Sequence, residues 1–138
     1  MDAAFEGIPE DDFGARVKAW ATLYTDYCSE AGPAFVGRFY STSNPLLDTR
    51  TRRPTADTGL LSFSDIDAIF AAGKDAGYIR DEVDVAGMWL DCITVIKGSI
   101  FEWCLAEGSF DLSAQTRRIL DLLFNGITTE KYRKAYGG

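Results

Sequence analysis

The stretch that decides the fold is residues 83–107, VDVAGMWLDCITVIKGSIFEWCLAE. Its apolar residues recur at steps of three and four, which is the spacing of one face of a helix. One row contains Val85, Trp89, Cys92 and Ile96, and the row beside it contains Ala86, Leu90, Ile93 and Ile100. The polar or small positions form a narrow stripe of Asp84, Asp91, Thr94, Gly98 and Glu102. A helix with so little polar surface is typical of the centre of a helical domain.

This helix is not expected to cross a membrane. Asp91, Lys97 and Glu102 lie inside it, and a charge near the middle of a bilayer is costly without a partner. Asp81 can cap its first turn, and Gly108 can adopt the left-handed conformation that ends a helix. The sequence therefore predicts a central helix of a soluble domain, about 37 Å long at the usual rise per residue.

The charge balance excludes several classes of function. The chain has 21 acidic and 14 basic residues, a formal net charge of -7, and no histidine. A nucleic-acid interface needs positive charge, so we expect no nucleic-acid contact by this chain itself. The absence of histidine removes the commonest general base and the commonest metal ligand. Because phosphate loops, dinucleotide fingerprints and nucleophile elbows are also missing, we expect no enzyme activity, no metal and no cofactor.

The cysteines favour a reduced compartment. Cys28, Cys92 and Cys104 are odd in number and widely spaced, which does not suit a disulfide framework. The first residues, MDAAFEGIPEDDF, have neither the basic nor the apolar region of a secretory signal. We therefore expect a cytoplasmic protein with no membrane partner.

The other segments also have helical patterns, and no strand pattern competes with them. Residues 10–31 carry an aromatic face, Gly32-Pro33 interrupts the run, and a shorter helix continues to about residue 43. Residues 64–76 and 112–127 are two more predicted helices, the second capped by Asp111 or Ser113. The predicted fold class is therefore all-α, a bundle of about five helices.

One domain accounts for the whole length. We assign residues 1–138 to it, with residues 1–9 as a connector or frayed end and residues 128–138 as a tail whose glycine end is frayed. Residues 44–61 contain two prolines and are predicted to be a flexible loop. Its arginine cluster, Arg50, Arg52 and Arg53, is interpreted as solvated, with an anion contact as the alternative.

Aromatic residues at helical spacing have two interpretations. Such rows usually pack in a core, but tyrosine and tryptophan also carry polar tips that need partners, which a bound small molecule can supply. We predict a ligand cavity lined by Trp20, Tyr24, Tyr27, Phe39, Trp89 and Ile96. A flat or lipophilic ligand suits this lining.

The last two predicted helices have more apolar surface than the short helices before them can cover. Two copies that pack these helices into a four-helix bundle would cover it, and internal packing alone is the alternative. The residues predicted at the dimer contact are Ile100, Trp103, Leu120, Leu123, Phe124 and Ile127.

Particular residues in this order resemble a known family. They are the run Gly77-Tyr78-Ile79-Arg80-Asp81, then Asp84 and Ala86, Gly98 with Trp103, Asp111-Leu112, Leu122-Leu123 and Gly126-Ile127. Together they resemble the C-terminal ligand-binding and dimerisation domain of TetR-family transcriptional regulators, which are bacterial. The resemblance extends from about residue 63 to residue 127, and residues 13–43 follow it in helix order.

The resemblance implies an all-helical homodimer that binds a small, often lipophilic effector and pairs through its last two long helices. In that family the effector changes the spacing of two N-terminal helix-turn-helix domains and so switches DNA binding. This chain begins where the connector or the first ligand-domain helix would lie. The resemblance therefore implies either a fragment or a natural protein that retains only the sensing and dimerisation half.

Two other hypotheses remain open at this point. A stand-alone helical dimer with a filled core would act as a protein-interaction module without effector or DNA. An enzyme would have to use Asp91 and Glu102, which lie about three helical turns apart and have no further acid or base beside them.

Overall fold

The computed structural model describes residues 6–40 and 63–136 of the chain, with side chains from residue 67 onward in the second range. Within these ranges the protein is all-helical, which confirms the predicted fold class. The described residues form six helices: α1 (Phe13–Ala31), α2 (Pro33–Phe39), α3 (Phe63–Asp75), α4 (Met88–Leu105), α5 (Leu112–Ile127) and α6 (Glu130–Tyr136). The predicted loop over residues 44–61 and its arginine cluster lie outside the described residues.

Local hydrogen bonds explain where the long helices begin. The Asp12 side chain accepts a hydrogen bond from the Ala15 amide at 3.2 Å and caps α1. The Asp111 side chain does the same for α5, accepting from the Ala114 amide at 3.1 Å. Of the two predicted caps for this helix, the structure therefore uses the aspartate. Gly32-Pro33 separates α1 from α2 as predicted.

Helix α4 is shorter at its beginning than the sequence predicts. Asp84, rather than Asp81, is the capping residue: it accepts from the Ala86 amide at 3.0 Å and starts a 3-10 turn, Val85–Gly87. The Lys74 ammonium donates to the Val83 carbonyl at 2.6 Å and holds that residue outside the helix. The α-helix proper therefore begins at Met88.

The end of α4 agrees with the prediction. Gly108 has a φ of +74°, in the left-handed region that glycine tolerates, and its amide donates to the Trp103 carbonyl at 2.9 Å. This arrangement satisfies a carbonyl of the last turn and redirects the chain into α5.

Helix α5 packs mainly along α1 and α4, and three phenylalanines join these layers. Phe13 is fully buried, with its ring centroid 5.7 Å from both Phe70 of α3 and Phe124 of α5. These distances are typical of favourable aromatic pairs. The core therefore lies where α1, α3, α4 and α5 meet.

Residues 128–136, within the predicted tail, are structured and pack against the rest of the chain, whereas its glycine end lies outside the described residues. Thr128 is buried and forms an isolated antiparallel bridge with Ile79, and α6 follows directly. Tyr132 of α6 lies 5.0 Å from Phe13 between ring centroids, and its hydroxyl donates to the Asp12 carboxylate. A helix of seven residues is too short to give a recognisable period, so its tertiary contacts decide its structure.

No helix in the described part of the chain combines the length and the apolar character that crossing a membrane requires. The strongly apolar α4 is covered by protein on its inner face, where eight of its residues are buried.

The buried thiols make the free energy of unfolding depend on alkaline pH. Burial raises the pKa of Cys28 to about 11 and that of Cys92 to about 12, from an ordinary value of 9.0. Above pH 9 the unfolded chain loses these protons while the folded chain keeps them, so stability is complete below pH 9 and decreases above it. Urea unfolding between pH 7 and 10 should show this decrease, which a Cys28→Ala/Cys92→Ala variant should reduce. If the free energy of unfolding decreased with pH as steeply in the variant as in the wild-type protein, the two thiols would not be its cause.

Candidate functional site

An aromatic cluster joins α1 to α4. The Trp20 and Trp89 rings meet edge to face at 4.7 Å between centroids, and Trp20 stacks on Tyr24 at 6.1 Å with an interplanar angle of 2°. Trp89 is buried, while Trp20 and Tyr24 are half-buried. Ile96 is also buried and follows Trp89 two turns later on the same face of α4. The structure thus brings three of the six predicted ligand residues, Trp20, Tyr24 and Trp89, together, and places Ile96 on the same face of α4.

Some hydroxyl and indole N–H groups of this cluster have no hydrogen-bond acceptor within it. The hydroxyls of Tyr24 and Tyr40 share one hydrogen bond of 2.8 Å, which uses only one of their two protons. The Trp20 Nε1 atom is buried and has no hydrogen-bond acceptor among the described residues. Burial raises the pKa of Tyr24 and of Tyr40, so both remain neutral donors. The cluster therefore contains proton donors for which the described residues provide no acceptor.

Tyr40 was not among the predicted ligand residues. A signal for it exists in the sequence, because it follows the buried Val36 by four residues and so shares its helix face.

Tyr27 and Phe39 do not join the cluster, which corrects the prediction for both. Tyr27 is 66% exposed, and Phe39 is 45% exposed and packs on Phe35 with ring centroids 5.2 Å apart. The buried face of α1 runs through Val17, Ala21 and Cys28, and Tyr27 lies to one side of it. Steps of three and four identified the helix correctly but not the centre of its buried face.

The six residues predicted at the dimer contact differ in how far the chain itself covers them. Ile100, Trp103, Leu120 and Phe124 are buried by the chain's own helices, and Leu123 and Ile127 are half-buried against the same core. A residue that α1 already covers cannot contact a second copy without rearrangement. The apolar periodicity found the packed faces of α4 and α5 but could not tell which partner covers them.

The outward side of α4 and α5 is a different surface. It contains an open groove of about 530 Å³, which we call the α4–α5 groove. The groove is lined by Thr94, Val95, Gly98, Ser99, Phe101, Glu102, Phe110, Gln115 and Ile119. Large apolar side chains lie exposed on these two helices: Phe101 is 47% exposed, Leu105 63% and Leu122 60%. Such a concentration of apolar surface is typical of a contact site.

Gly98 leaves an open space in the α4–α5 groove. A Cβ atom built on it would meet no atom within 4 Å, so the packing of the chain does not require glycine there. Glycine within a helix costs about 0.5–1 kcal/mol relative to alanine. The space would admit a side chain from outside.

We expect Gly98→Ala to raise the free energy of unfolding of the dilute protein by about 0.5–1 kcal/mol. The matched control is Gly73→Ala in α3, whose Cβ would lie 3.0 Å from Phe13 Cδ1 and should give no such gain. Urea unfolding of both variants measures the difference. Destabilisation by Gly98→Ala would mean that other atoms of the chain already fill the space beside residue 98.

Within the described ranges, no group of three or more histidine, cysteine or acidic residues is arranged to hold a metal ion. Comparison of the chain with protein-family models, curated proteins and solved structures finds no match. The TetR resemblance therefore rests on the residues quoted from the sequence and remains a prediction.

Proposed function

We propose that the chain is the effector-sensing and dimerisation domain of a TetR-like transcriptional regulator. It would bind a small lipophilic or aromatic molecule and so switch DNA binding by a helix-turn-helix domain that is not part of these 138 residues. The observation that carries this proposal is that a single helix, α4, takes part in both candidate surfaces. Its inner face holds Trp89 and Ile96 in the aromatic cluster, and its outer face lines the α4–α5 groove.

The geometry of α4 supports a direct coupling between ligand and dimer. Gly98 follows Trp89 by nine residues, which places the two on opposite sides of the helix. A ligand that enters between Trp20 and Trp89 would displace α4, and the groove on its far side would move with it. Such a ligand changes the state of the dimer only if it binds one arrangement of α4 better than the other.

The unsatisfied donors indicate which ligands fit. Trp20 Nε1 can only donate, and the tyrosine pair has one proton left over, so both call for an acceptor. The surrounding rings favour a planar apolar body. We therefore expect a flat aromatic ligand with a carbonyl or ether oxygen to bind better than the same ring system without one.

The α4–α5 groove supports pairing with a second copy of the chain. In a two-fold dimer the same surface serves both partners, so Phe101 of each copy can enter the space beside Gly98 of the other. Both helices would then form half of a four-helix bundle. This contact uses residues that the chain itself leaves exposed, unlike the six predicted from the sequence.

Thermal unfolding with planar aromatic compounds, with and without a carbonyl oxygen, tests ligand binding. A ligand at 100 times its Kd stabilises a protein by about 2.7 kcal/mol. We expect stabilisation by carbonyl compounds, and Trp20→Phe should weaken their binding by about tenfold because it removes the indole donor. Tyr27→Phe, on the exposed side of α1, is the matched control. Equal affinity in the wild-type protein and the Trp20→Phe variant would contradict the ligand site.

A stand-alone helical dimer that serves as a protein-interaction module is the second candidate. The close contact of Trp20 with Trp89 favours it, because rings 4.7 Å apart also describe a filled core. This candidate predicts a dimer whose melting temperature does not respond to any aromatic compound. An immunoblot of the natural gene product separates the two further: a mass well above 15.2 kDa supports the regulator, and a mass equal to it supports the module.

A further inference from the structure

A second cavity lies where the beginning of α1 meets the end of α5 and helix α6. It has a volume of about 220 Å³ and is more enclosed than the α4–α5 groove. Charged and amide side chains dominate its wall: Asp12, Lys18, Asp121, Asn125 and Arg133. One water occupies about 30 Å³ in the liquid, so the space fits a molecule of fewer than about ten heavy atoms.

Asp12 provides a carboxylate in this wall. The residue is 8% exposed. Its Oδ1 atom accepts from the Ala15 amide and from the Tyr132 hydroxyl, and no described residue donates to Oδ2. This oxygen can accept a hydrogen bond from a group within the cavity, and an ammonium group would make the strongest such bond.

Arg133 provides a guanidinium with weak contacts. Its Nη1 atom donates to the carbonyl and hydroxyl oxygens of Thr128 over long distances of 3.4 and 3.5 Å. No carboxylate among the described residues forms an ion pair with it. Its remaining N–H groups can hold a carboxylate through two parallel hydrogen bonds.

The other two charges in the wall neutralise each other. Lys18 and Asp121 form an ion pair of 2.6 Å. The charges left are therefore one carboxylate, on Asp12, and one guanidinium, on Arg133. A simple anion would meet the carboxylate unfavourably and a simple cation would meet the guanidinium, whereas a molecule with both charges complements the pair.

We propose that this cavity binds a small zwitterion of the α-amino-acid type. Asp12 accepts from its ammonium group, and Arg133 donates to its carboxylate. Asn125, an exposed amide in the same wall, contacts whatever short side chain the molecule carries. This site is independent of the aromatic cluster and of the dimer contact, so its failure would not affect the proposed regulator.

Titration with glycine, L-alanine, methylammonium and acetate, followed by ¹H–¹⁵N spectra of the whole chain, tests the proposal. We expect the amides of residues 125–133 to shift saturably with glycine or alanine. Methylammonium and acetate, which each carry half of the charge pair, should bind at least tenfold more weakly. The absence of saturable shifts with both amino acids, or equal binding of either single ion, would overturn the proposal.

Two variants assign the roles of the charges. Asp12→Asn keeps a residue that caps helices well, and Arg133→Gln removes the guanidinium from the exposed side of α6. Each should weaken glycine binding at least tenfold. Lys134→Gln, one residue further along α6 and outside the cavity wall, should leave binding unchanged. Unchanged binding in the Arg133→Gln variant, whose spectrum verifies its fold, would show that the proposed carboxylate contact is wrong.

Discussion

Replacing Phe13 with alanine should lower the free energy of unfolding by about 3–5 kcal/mol. Phe13 is fully buried and contacts the rings of Phe70, Phe124 and Tyr132. Four helices meet at this side chain, so its removal leaves a cavity that no single helix can close by a small shift. The loss is a large part of the 5–15 kcal/mol that stabilises a typical domain.

Urea unfolding at neutral pH measures this loss. The slope of the free energy of unfolding against urea concentration should be the same in both proteins if each unfolds in two states. The matched control is Phe35→Ala in α2. Phe35 is 48% exposed, so the same chemical change should cost less than about 1 kcal/mol. Similar costs for the two variants would mean that the aromatic junction at Phe13 does not hold the helices together.

Phe101→Glu should weaken dimerisation by at least 100-fold, about 2.7 kcal/mol. This prediction rests on the proposed pairing through the α4–α5 groove. Phe101 is the largest side chain that α4 contributes to the groove wall. A two-fold contact contains it twice, so the substitution removes two apolar contacts. The new carboxylates would also lie near Glu102 of both copies, where like charges repel.

Sedimentation equilibrium of the purified chain measures the dimerisation constant. Phe35→Glu is the control, because Phe35 has nearly the same exposed fraction as Phe101 but lies on α2, outside the groove. It should leave the constant unchanged. A monomeric wild-type chain, or equal weakening by both variants, would mean that the groove is not the dimer contact.

The sequence was sufficient for those helices that local signals determine. Gly32-Pro33, Gly108 and Asp111 each act through backbone geometry or a cap within a few residues, and the structure uses all three as predicted. The start of α4 was misplaced because two aspartates, Asp81 and Asp84, offer the same local signal. In the structure, the contact of Lys74 with the Val83 carbonyl accompanies the cap at Asp84.

The candidate surfaces were less predictable because they depend on which helix covers which face. Periodicity marks Leu120 and Phe124 as apolar, but it contains no information that α1 covers them within the same chain. The exposed position of Tyr27 could not be predicted for the same reason. The α4–α5 groove also depends on Gly98, whose open surroundings are a property of the assembled helices.

The contacts that join α6 to the beginning of α1 have a consequence for the order of folding. The hydrogen bonds from Tyr132 to Asp12 and from Tyr136 to Asp11 connect residues 120 and 125 positions apart. Closing a loop of this length is entropically costly before the intervening helices assemble, so these bonds form late. Helix α6 also has no buried residue, so it should detach before the core unfolds. Helix α6 is therefore the part that opens most readily, and its opening releases the side chains of Asp11 and Asp12 at the beginning of α1 from their tyrosine partners.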